Sequence, residues 1–181
     1  FVIVAPTELE RCAALGLPSE RTSVLGLGGA SRRDSVLAGL QAIRDDQQLL
    51  NSAGANPWVM VHDAARPGIP LAVLERLRTQ VISQLESDRN LSGALAALPV
   101  ADTVKEAGAV DGQGAPGVAR TIARDRIWLA QTPQVFRLKQ LLEALEAFTE
   151  ATDEAVAMER AGYCPALVPG HWRNLKVTTS D

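Results

Sequence analysis

The sequence predicts an α/β fold with three layers, in which helices cover both faces of a mainly parallel sheet. Two observations lead to this prediction. Short, continuous apolar runs resemble buried parallel strands, and segments with helical periodicity separate them along the chain. Strands that alternate with helices form βαβ units. Because 181 residues suit one domain, residues 1–181 are interpreted as a single domain.

Strands and helices alternate through the first half of the chain. The first strand is an unbroken β-branched and apolar run that ends at Pro6. The first long helix has an apolar stripe, and either Asp34 or Ser35 is available as its N-cap. The predicted elements are strands at residues 1–5, 22–27 and 58–61, and helices at 34–44 and 71–85.

The second half continues this alternation around one glycine-rich excursion. Residues 105–120 have no helical stripe and are predicted to form a projecting loop or β-hairpin with glycine-rich turns, from which the chain returns at 118–122. Thr152 is the predicted N-cap of the last helix. The other predicted elements are strands at 93–99, 166–168 and 175–177, and helices at 138–148 and 153–161.

Composition narrows the possible partners. A net charge of −3 provides no overall basic field for a polyanion, and only 4% of the residues are aromatic, so a nucleic-acid partner is not expected. No apolar run is long enough to span a bilayer, so no membrane contact is expected. Cys12 and Cys164 lack metal-site spacing and are interpreted as reduced thiols of a cytoplasmic protein.

Two charged side chains follow the strand at 58–61. Asp63 and Arg66 leave the sheet at the carboxyl end of that strand, where ligands of open α/β sheets bind. A guanidinium binds a phosphate through two parallel hydrogen bonds, and a carboxylate can hold a hydroxyl or orient the arginine. A solvated Asp–Arg pair at a strand end would have the same spacing. His62 is interpreted as a structural histidine.

A glycine-rich turn joins the second strand to the first long helix. Small residues at Gly29 and Ala30 would let a ligand approach the backbone, and amides at a helix start favour hydrogen-bond acceptors. The hydroxyl of Ser35 is of a type that can hydrogen-bond a base edge. A simple turn followed by an N-cap is the alternative. The sequence contains neither a Walker loop nor a GxGxxG motif.

Polar residues also follow or interrupt later elements. Thr103 comes after the strand at 93–99, and Thr132 precedes Pro133, which restricts its backbone to extended conformations. The alternative for residues 128–134 is an ordinary turn before the helix. Lys176 lies in an apolar segment and points either to solvent or into a site. With no Ser-His-Asp or Cys-His grouping, the residues suit chemistry that needs positive charge and positioning, as nucleotidyl transfer does.

Taken in order, these segments resemble the 2-C-methyl-D-erythritol 4-phosphate cytidylyltransferases. The resemblance covers essentially the whole chain, and its specificity comes from seven segments in order rather than from any one of them. The matching stretches are Gly28-Gly29 with Arg32 and Ser35-Val36, Val61 to Pro67, Pro99 to Lys105, Arg124 with Trp128, Gln131 to Phe136, Thr152 to Glu154, and Asn174 to Thr178.

The resemblance implies a Rossmann-like nucleotidyltransferase domain that transfers a cytidylyl group from CTP to methylerythritol phosphate with the help of Mg²⁺. It implies a homodimer built through a β-arm at residues 105–122. By resemblance, Gly29, Ala30 and Ser35 surround the cytosine, and Lys176 steadies the charged transition state. The residues implied to contact the methylerythritol phosphate are Asp63, Arg66, Thr103, Arg124, Thr132 and Thr152.

Three features depart from the family pattern. The family begins with a strand and a glycine-rich loop whose Arg and Lys hold the triphosphate, so the resemblance implies that this half of the nucleotide site precedes Phe1. The family also continues with a helix after the segment that ends at Asp181. Ala123 stands where the family often has Asp, which affects the local support expected for Arg124.

Two other functions compete with this interpretation. A ribitol 5-phosphate cytidylyltransferase has the same fold and chemistry, but that relative usually has Val in place of Ala65 and no Lys matching Lys105. Both residues favour methylerythritol phosphate as the acceptor. A non-catalytic nucleotide-binding or dimerisation module is the alternative from a different class, and the sequence upstream of Phe1 would distinguish it from an enzyme.

Overall fold

A computed structural model describes residues 1–85, 91–109 and 115–178. Short 3₁₀ helices at Pro6–Glu8 and Trp172–Asn174 accompany eight strands and six α-helices in these ranges. In chain order these are β1 (Val2–Ile3), α1 (Leu9–Ala13), β2 (Val24–Leu25), α2 (Arg32–Asp45), α3 (Gln47–Ala53), β3 (Trp58–Val61), α4 (Leu71–Leu85), β4 (Leu91–Pro99), β5 (Val104–Ala107), β6 (Val118–Ile122), β7 (Trp128–Arg137), α5 (Leu138–Ala147), α6 (Glu154–Arg160) and β8 (Cys164–Pro169).

The main sheet has four strands in the order β3-β7-β4-β8. β7 is antiparallel to both β3 and β4, whereas β4 and β8 are parallel. Three of the four strands therefore run in one direction, and the predicted mainly parallel sheet is confirmed. β7 itself occupies residues for which the sequence suggested a turn as the alternative. Its polar residues obscured the strand, because their hydrogen-bond partners come from distant segments.

Helices cover both faces of this sheet, which confirms the three layers. On one face, Val73, Leu77 and Val81 of α4 pack against small residues of β4 and β8. On the other face, α2, α5 and α6 pack over β3, β4 and β7, with Phe136 and Leu141 fully buried at the centre. The apolar stripe of α5 at spacings of three and four residues is what places that helix on the sheet.

β1 and β2 form a separate parallel pair, shorter than the strands predicted at 1–5 and 22–27. β1 lies directly on α2. A Cβ atom added to Gly39 would stand 2.8 Å from Cγ1 of Ile3, so a glycine is needed at this position for the strand and the helix to approach. The glycine-rich turn then begins where the Gly28 amide donates to the Val4 carbonyl at 2.7 Å.

β5 and β6 form an antiparallel hairpin, with Val104 opposite Ile122. The predicted hairpin is therefore present, and residues 110–114 of the predicted arm lie outside the described residues. Most of the hairpin's side chains are exposed, including Val118 at 66%. An exposed hairpin of this kind is compatible with a contact to another chain, but its role in a dimer stays a prediction.

Three local predictions are wrong. Ser31, not Asp34 or Ser35, caps α2, because its backbone is extended and its side chain accepts the Asp34 amide. Asp153 rather than Thr152 caps α6 by accepting the Val156 amide. Residues 175–177 are not a strand. They pair with no strand of the described ranges, and Val177 instead donates a single backbone hydrogen bond to Ala65, in the loop after β3, at 2.9 Å.

Several elements were not predicted at all. α1, α3 and the two 3₁₀ helices are short, and their local patterns are weak compared with those of the long helices. Among the helices of the described ranges, none has the length and apolarity needed to cross a bilayer.

Candidate active site

Asp63 stands at the centre of a cluster of positive charges just beyond β3. Its Oδ1 accepts a hydrogen bond from Nε of Arg32 at 2.7 Å. Its Oδ2 lies 3.3 Å from Nζ of Lys176 and 3.7 Å from Nε of Arg66. The tertiary structure thus brings together an acid and three cations from segments far apart in sequence, which the strand-end position of Asp63 and Arg66 only partly predicted.

Electrostatics keeps this aspartate ionised. Its side chain is 11% exposed, and burial alone would raise the pKa of the Asp63 carboxyl. The hydrogen bond and charge of Arg32 oppose that effect, followed by the charge of Lys176, and together they hold the pKa below its usual value. Asp63 is therefore a permanent acceptor that orients the surrounding cations or a ligand hydroxyl.

A buried polar network holds the Lys176 segment in place. Asn174 is fully buried, and its Nδ2 donates to the Thr132 carbonyl at 2.7 Å and to Oε1 of Gln131 at 3.2 Å. The Asn174 carbonyl in turn accepts from Gln131 and Arg66. Because Lys176 follows two residues later, this network fixes the point from which its side chain reaches Asp63.

The asparagine offers a direct test of that support. We expect Asn174→Ala to lower the free energy of unfolding by about 1–3 kcal/mol, because it removes the side-chain donor to the buried Thr132 carbonyl and one of the donors to Oε1 of Gln131. Chemical denaturation monitored by circular dichroism measures the change. Asn51→Ala, at an exposed position of α3, is the control and should alter stability by less than about 0.5 kcal/mol. Equal effects for both variants would contradict a supporting role for Asn174.

Thr132 joins the strand β7 to Asp63. Between Leu95 and Ala97 the register of β4 against β7 shifts, and Thr132 lies in the irregular part of β7. Such an irregularity turns side chains out of the regular alternation. The Thr132 hydroxyl accepts the Asp63 amide at 3.0 Å and contacts Nδ1 of His62 at 3.2 Å. Thr132 therefore lies next to the Asp63 cluster. His62 has a partner at each ring nitrogen, because its Nε2 contacts the Arg66 carbonyl.

The glycine-rich turn is held together by Ser35. The Ser35 hydroxyl accepts the Gly29 amide and donates to the Ser31 carbonyl, both at 3.0 Å. A Cβ on Gly29 would stand 2.4 Å from Cβ of Asp34, so the turn requires glycine there. Gly29 and Ala30 are exposed. These contacts support the turn-plus-helix-start interpretation and leave the base contact of Ser35 a prediction.

A cavity of about 810 Å³ lies beside Asp63, but Gly29, Ala30, Arg66 and Thr132 do not line it. Its walls are mostly apolar side chains of β1, α2 and β3. Three of the predicted site residues, Ser35, Asp63 and Lys176, line it together with Arg32. A large concave pocket with a few convergent polar groups is the usual form of a ligand site.

Arg32 and Glu154 were not assigned a role from the sequence alone. Nη1 and Nη2 of Arg32 donate to Oε1 and Oε2 of Glu154 at 2.7 and 2.9 Å, and Glu154 is fully buried. These contacts raise the pKa of Arg32 although burial opposes the rise. The position of Arg32 could have indicated such a contact. Arg32 is the first residue of α2, where the helix dipole disfavours a positive charge, so an acidic partner was to be expected.

Three predicted residues lie apart from the cluster. Thr103 and Arg124 are exposed at the root of the hairpin, just before β5 and just after β6. Thr152 is exposed next to the Asp153 cap. Within the described ranges, no hydrogen bond or ion pair links any of the three to Asp63 or Lys176, so within this single chain their substrate contacts stay predictions.

The side chains of the site offer few ligands for a metal ion. In the part of the chain that the structure describes, no three His, Cys, Asp or Glu side chains are grouped to hold an ion. Asp63 is already engaged by cations. These residues therefore do not fit a metal held by the protein alone.

Comparison with known proteins extends over the whole chain. Residues 1–181 match the family model described as IspD, 2-C-methyl-D-erythritol 4-phosphate cytidylyltransferase. Proteins of that name from Photobacterium profundum and Bordetella pertussis are each 45% identical to the chain over 173 residues, which is 93% of this chain. The alignments cover 67% and 66% of those proteins, so the chain spans about two thirds of the length of these relatives.

Solved structures give the same answer. A crystal structure of a 4-diphosphocytidyl-2C-methyl-D-erythritol synthase matches 98% of this chain and 75% of its own, with a TM-score of 0.79 and 35% identity. The cytidylyltransferase of Francisella tularensis matches 87% of this chain and 66% of its own, with a TM-score of 0.66 and 34% identity. The fold, the order of the seven matching sequence segments and these relatives all indicate the same family. The chain belongs to the 2-C-methyl-D-erythritol 4-phosphate cytidylyltransferase family.

Proposed function

We propose that the protein containing this chain transfers a cytidylyl group from CTP to 2-C-methyl-D-erythritol 4-phosphate, a step in isoprenoid precursor biosynthesis. The observation that carries the proposal is the cluster of Asp63 with Arg32, Arg66 and Lys176, of which Arg32, Asp63 and Lys176 line the cavity. Two phosphorylated substrates repel each other, and fixed cations offset that repulsion. Family membership supports the same reaction.

In the proposed reaction, an oxygen of the methylerythritol phosphate attacks the α-phosphorus of CTP. A new P–O bond forms there as the bond from the α-phosphorus to the bridging oxygen breaks, and pyrophosphate leaves. Negative charge grows on the phosphate oxygens as this happens. Lys176, whose side chain is 41% exposed beside Asp63, is the proposed cation that faces this charge.

Arg66 and Asp63 are proposed to bind the acceptor. Arg66 keeps part of its guanidinium engaged with the Asn174 carbonyl, which fixes its direction. Asp63 and Thr132 present oxygen atoms for hydroxyl groups of the sugar alcohol. Gly29, Ala30 and Ser35 are proposed to receive the cytosine. Mg²⁺ would be held mainly through the CTP phosphates and would neutralise part of their charge.

The homodimer and the cytoplasmic location are also part of the proposal. The exposed hairpin β5–β6 supports the dimer, because its apolar Val118 has little contact with its own chain. Arg124 and Thr103 at the hairpin root would then contact substrate in the neighbouring subunit. Cys12 and Cys164 are free thiols, which supports a reducing compartment.

Substrate choice tests the proposed function. We expect the full-length protein to use methylerythritol phosphate with kcat/KM at least tenfold above that for ribitol 5-phosphate. This expectation rests on two residues, Ala65 and Lys105. The Ala65 carbonyl accepts the backbone hydrogen bond of Val177, next to Lys176, and Lys105 donates to the Thr121 hydroxyl at 2.7 Å within the hairpin. Steady-state assays with CTP and each acceptor decide it. A preference for ribitol 5-phosphate would show that the acceptor is misassigned, and the absence of turnover with both would favour a non-catalytic module.

A further inference from the structure

We propose that Glu154 and Arg32 are positioning residues that set the orientation of the Asp63 carboxylate in the acceptor site. The inference rests on the proposed function for its kinetic part. Glu154 is buried behind the cavity and acts through Arg32, and Arg32, which lines the cavity, orients the acceptor site through Asp63.

Glu154, Arg32 and Asp63 form a relay of hydrogen bonds, and the geometry of these bonds determines the order in which the residues act. Both oxygens of Glu154 are taken by the two terminal nitrogens of Arg32, in a paired arrangement that fixes the guanidinium plane. With the plane fixed, Nε is directed at Oδ1 of Asp63, 2.7 Å away. This leaves Oδ2 of Asp63 as the oxygen that faces Lys176 and Arg66.

Burial makes Glu154 the anchor of the relay. The Glu154 side chain is 1% exposed, whereas Arg32 is 31% exposed and lines the cavity. Glu154 is the first residue of α6 and directly follows Asp153, the N-cap of that helix. Gln134 of β7 donates a hydrogen bond to the Asp153 carboxylate. The Ala155 amide is further held by Gln134 at 2.8 Å. The anchor is therefore tied to the sheet, and its position does not depend on a ligand.

Asp63 has few other constraints on its carboxylate. Its amide is held by Thr132, but that contact fixes the backbone and leaves the side chain free to rotate. Lys176 is 41% exposed and ends a flexible stem, so it follows the carboxylate more than it directs it. Arg66 lies 3.7 Å from Oδ2, beyond hydrogen-bond distance, so the planar guanidinium of Arg32 is the contact that selects one carboxylate orientation.

The test compares Glu154→Gln with Glu143→Gln in the full-length protein. Glutamine keeps the size of Glu154 but replaces one acceptor oxygen with an NH₂ group, which cannot accept from Arg32. We expect KM for methylerythritol phosphate to rise about 10- to 100-fold, while KM for CTP changes less than about twofold. Glu143 lies on the surface 3.9 Å from Lys139, and its variant should match the wild type.

A double-mutant cycle with Asp63→Asn separates positioning from a purely structural role. If Glu154 acts through Asp63, adding Glu154→Gln to Asp63→Asn should cost at most about twofold more. Independent, multiplicative losses would overturn the proposal. So would a fall in kcat with both KM values unchanged, because that pattern reports only a smaller folded fraction.

A readout that does not require turnover keeps the inference distinct from the proposed function. NMR of the arginine Nε–H groups should show the Arg32 Nε–H proton, which donates to Asp63 in the wild type, exchanging with water at least tenfold faster in Glu154→Gln, since the guanidinium plane is no longer fixed. Circular dichroism would verify that the variant is folded. An unchanged exchange rate of this proton in a folded variant overturns the relay even if the wild type is active. Faster exchange in a protein without cytidylyl transfer supports the relay and rejects the reaction.

Discussion

Replacing Lys176 with alanine is expected to lower kcat by on the order of a hundredfold or more and to change KM by much less. The reason is that a fixed cation is most valuable where negative charge grows during the reaction, so its loss affects the transition state more than the bound substrates. Lys176 suits that role because Asp63, 3.3 Å away, and the backbone hydrogen bond from Val177 hold it at the cavity.

Steady-state kinetics with both substrates varied would measure this effect. Lys139→Ala is the matched control, since Lys139 is an exposed lysine of α5 outside the cavity. Thermal unfolding of both variants would verify that the loss is not a loss of folded protein. If Lys176→Ala keeps a kcat near that of the wild type, Lys176 is a solvated residue of an extended segment and the assignment is wrong.

Mixing two inactive variants is expected to restore activity if the site is shared between subunits. In Arg124→Ala and Lys176→Ala, every pocket of a homodimer lacks one group. After subunit exchange, a mixed dimer has both defects in one pocket and neither in the other. Activity should therefore rise toward half of the wild-type value per mixed dimer. The exposed position of Arg124 at the hairpin root, apart from Asp63 and Lys176, motivates this expectation.

The controls decide what a negative result means. Native mass spectrometry with differently tagged subunits would show whether mixed dimers form. Mixing Arg66→Ala with Lys176→Ala should restore no activity, because both residues belong to the same Asp63 cluster and act in the same chain. Verified exchange without any recovery for the Arg124 and Lys176 pair would mean that each pocket is built from one chain.

Pattern alone was sufficient for the long elements. The apolar stripes of α2, α4 and α5 and the buried run of β3 are local properties, and their positions were predicted within a few residues. The caps were less predictable. Ser31, Asp34 and Ser35 are all suitable cap residues, and the choice of Ser31 depended on which backbone became extended where the glycine-rich turn meets β1.

The strand β7 shows why one segment misled the sequence interpretation. Gln131, Thr132 and Gln134 are polar yet buried, so they lack the apolar alternation of a strand. Each is satisfied by a residue at least 19 positions away: Asn174 for Gln131, Asp63 for Thr132 and Asp153 for Gln134. Only after the chain has folded do these partners exist, and only then is burial of the polar residues favourable.

By itself, the sequence determined the fold class and the position of Asp63 and Arg66 at a strand end, because these follow from local periodicity and from the topology of α/β sheets. For residues 105–120 the sequence pattern left a loop and a β-hairpin as alternatives. The tertiary structure decided which charges meet. Arg32 reaches Asp63 across 31 positions and Glu154 across 122, and Lys176 arrives from an extended segment rather than a strand. Attraction between such groups depends on their separation in space and on burial, neither of which is encoded in local spacing.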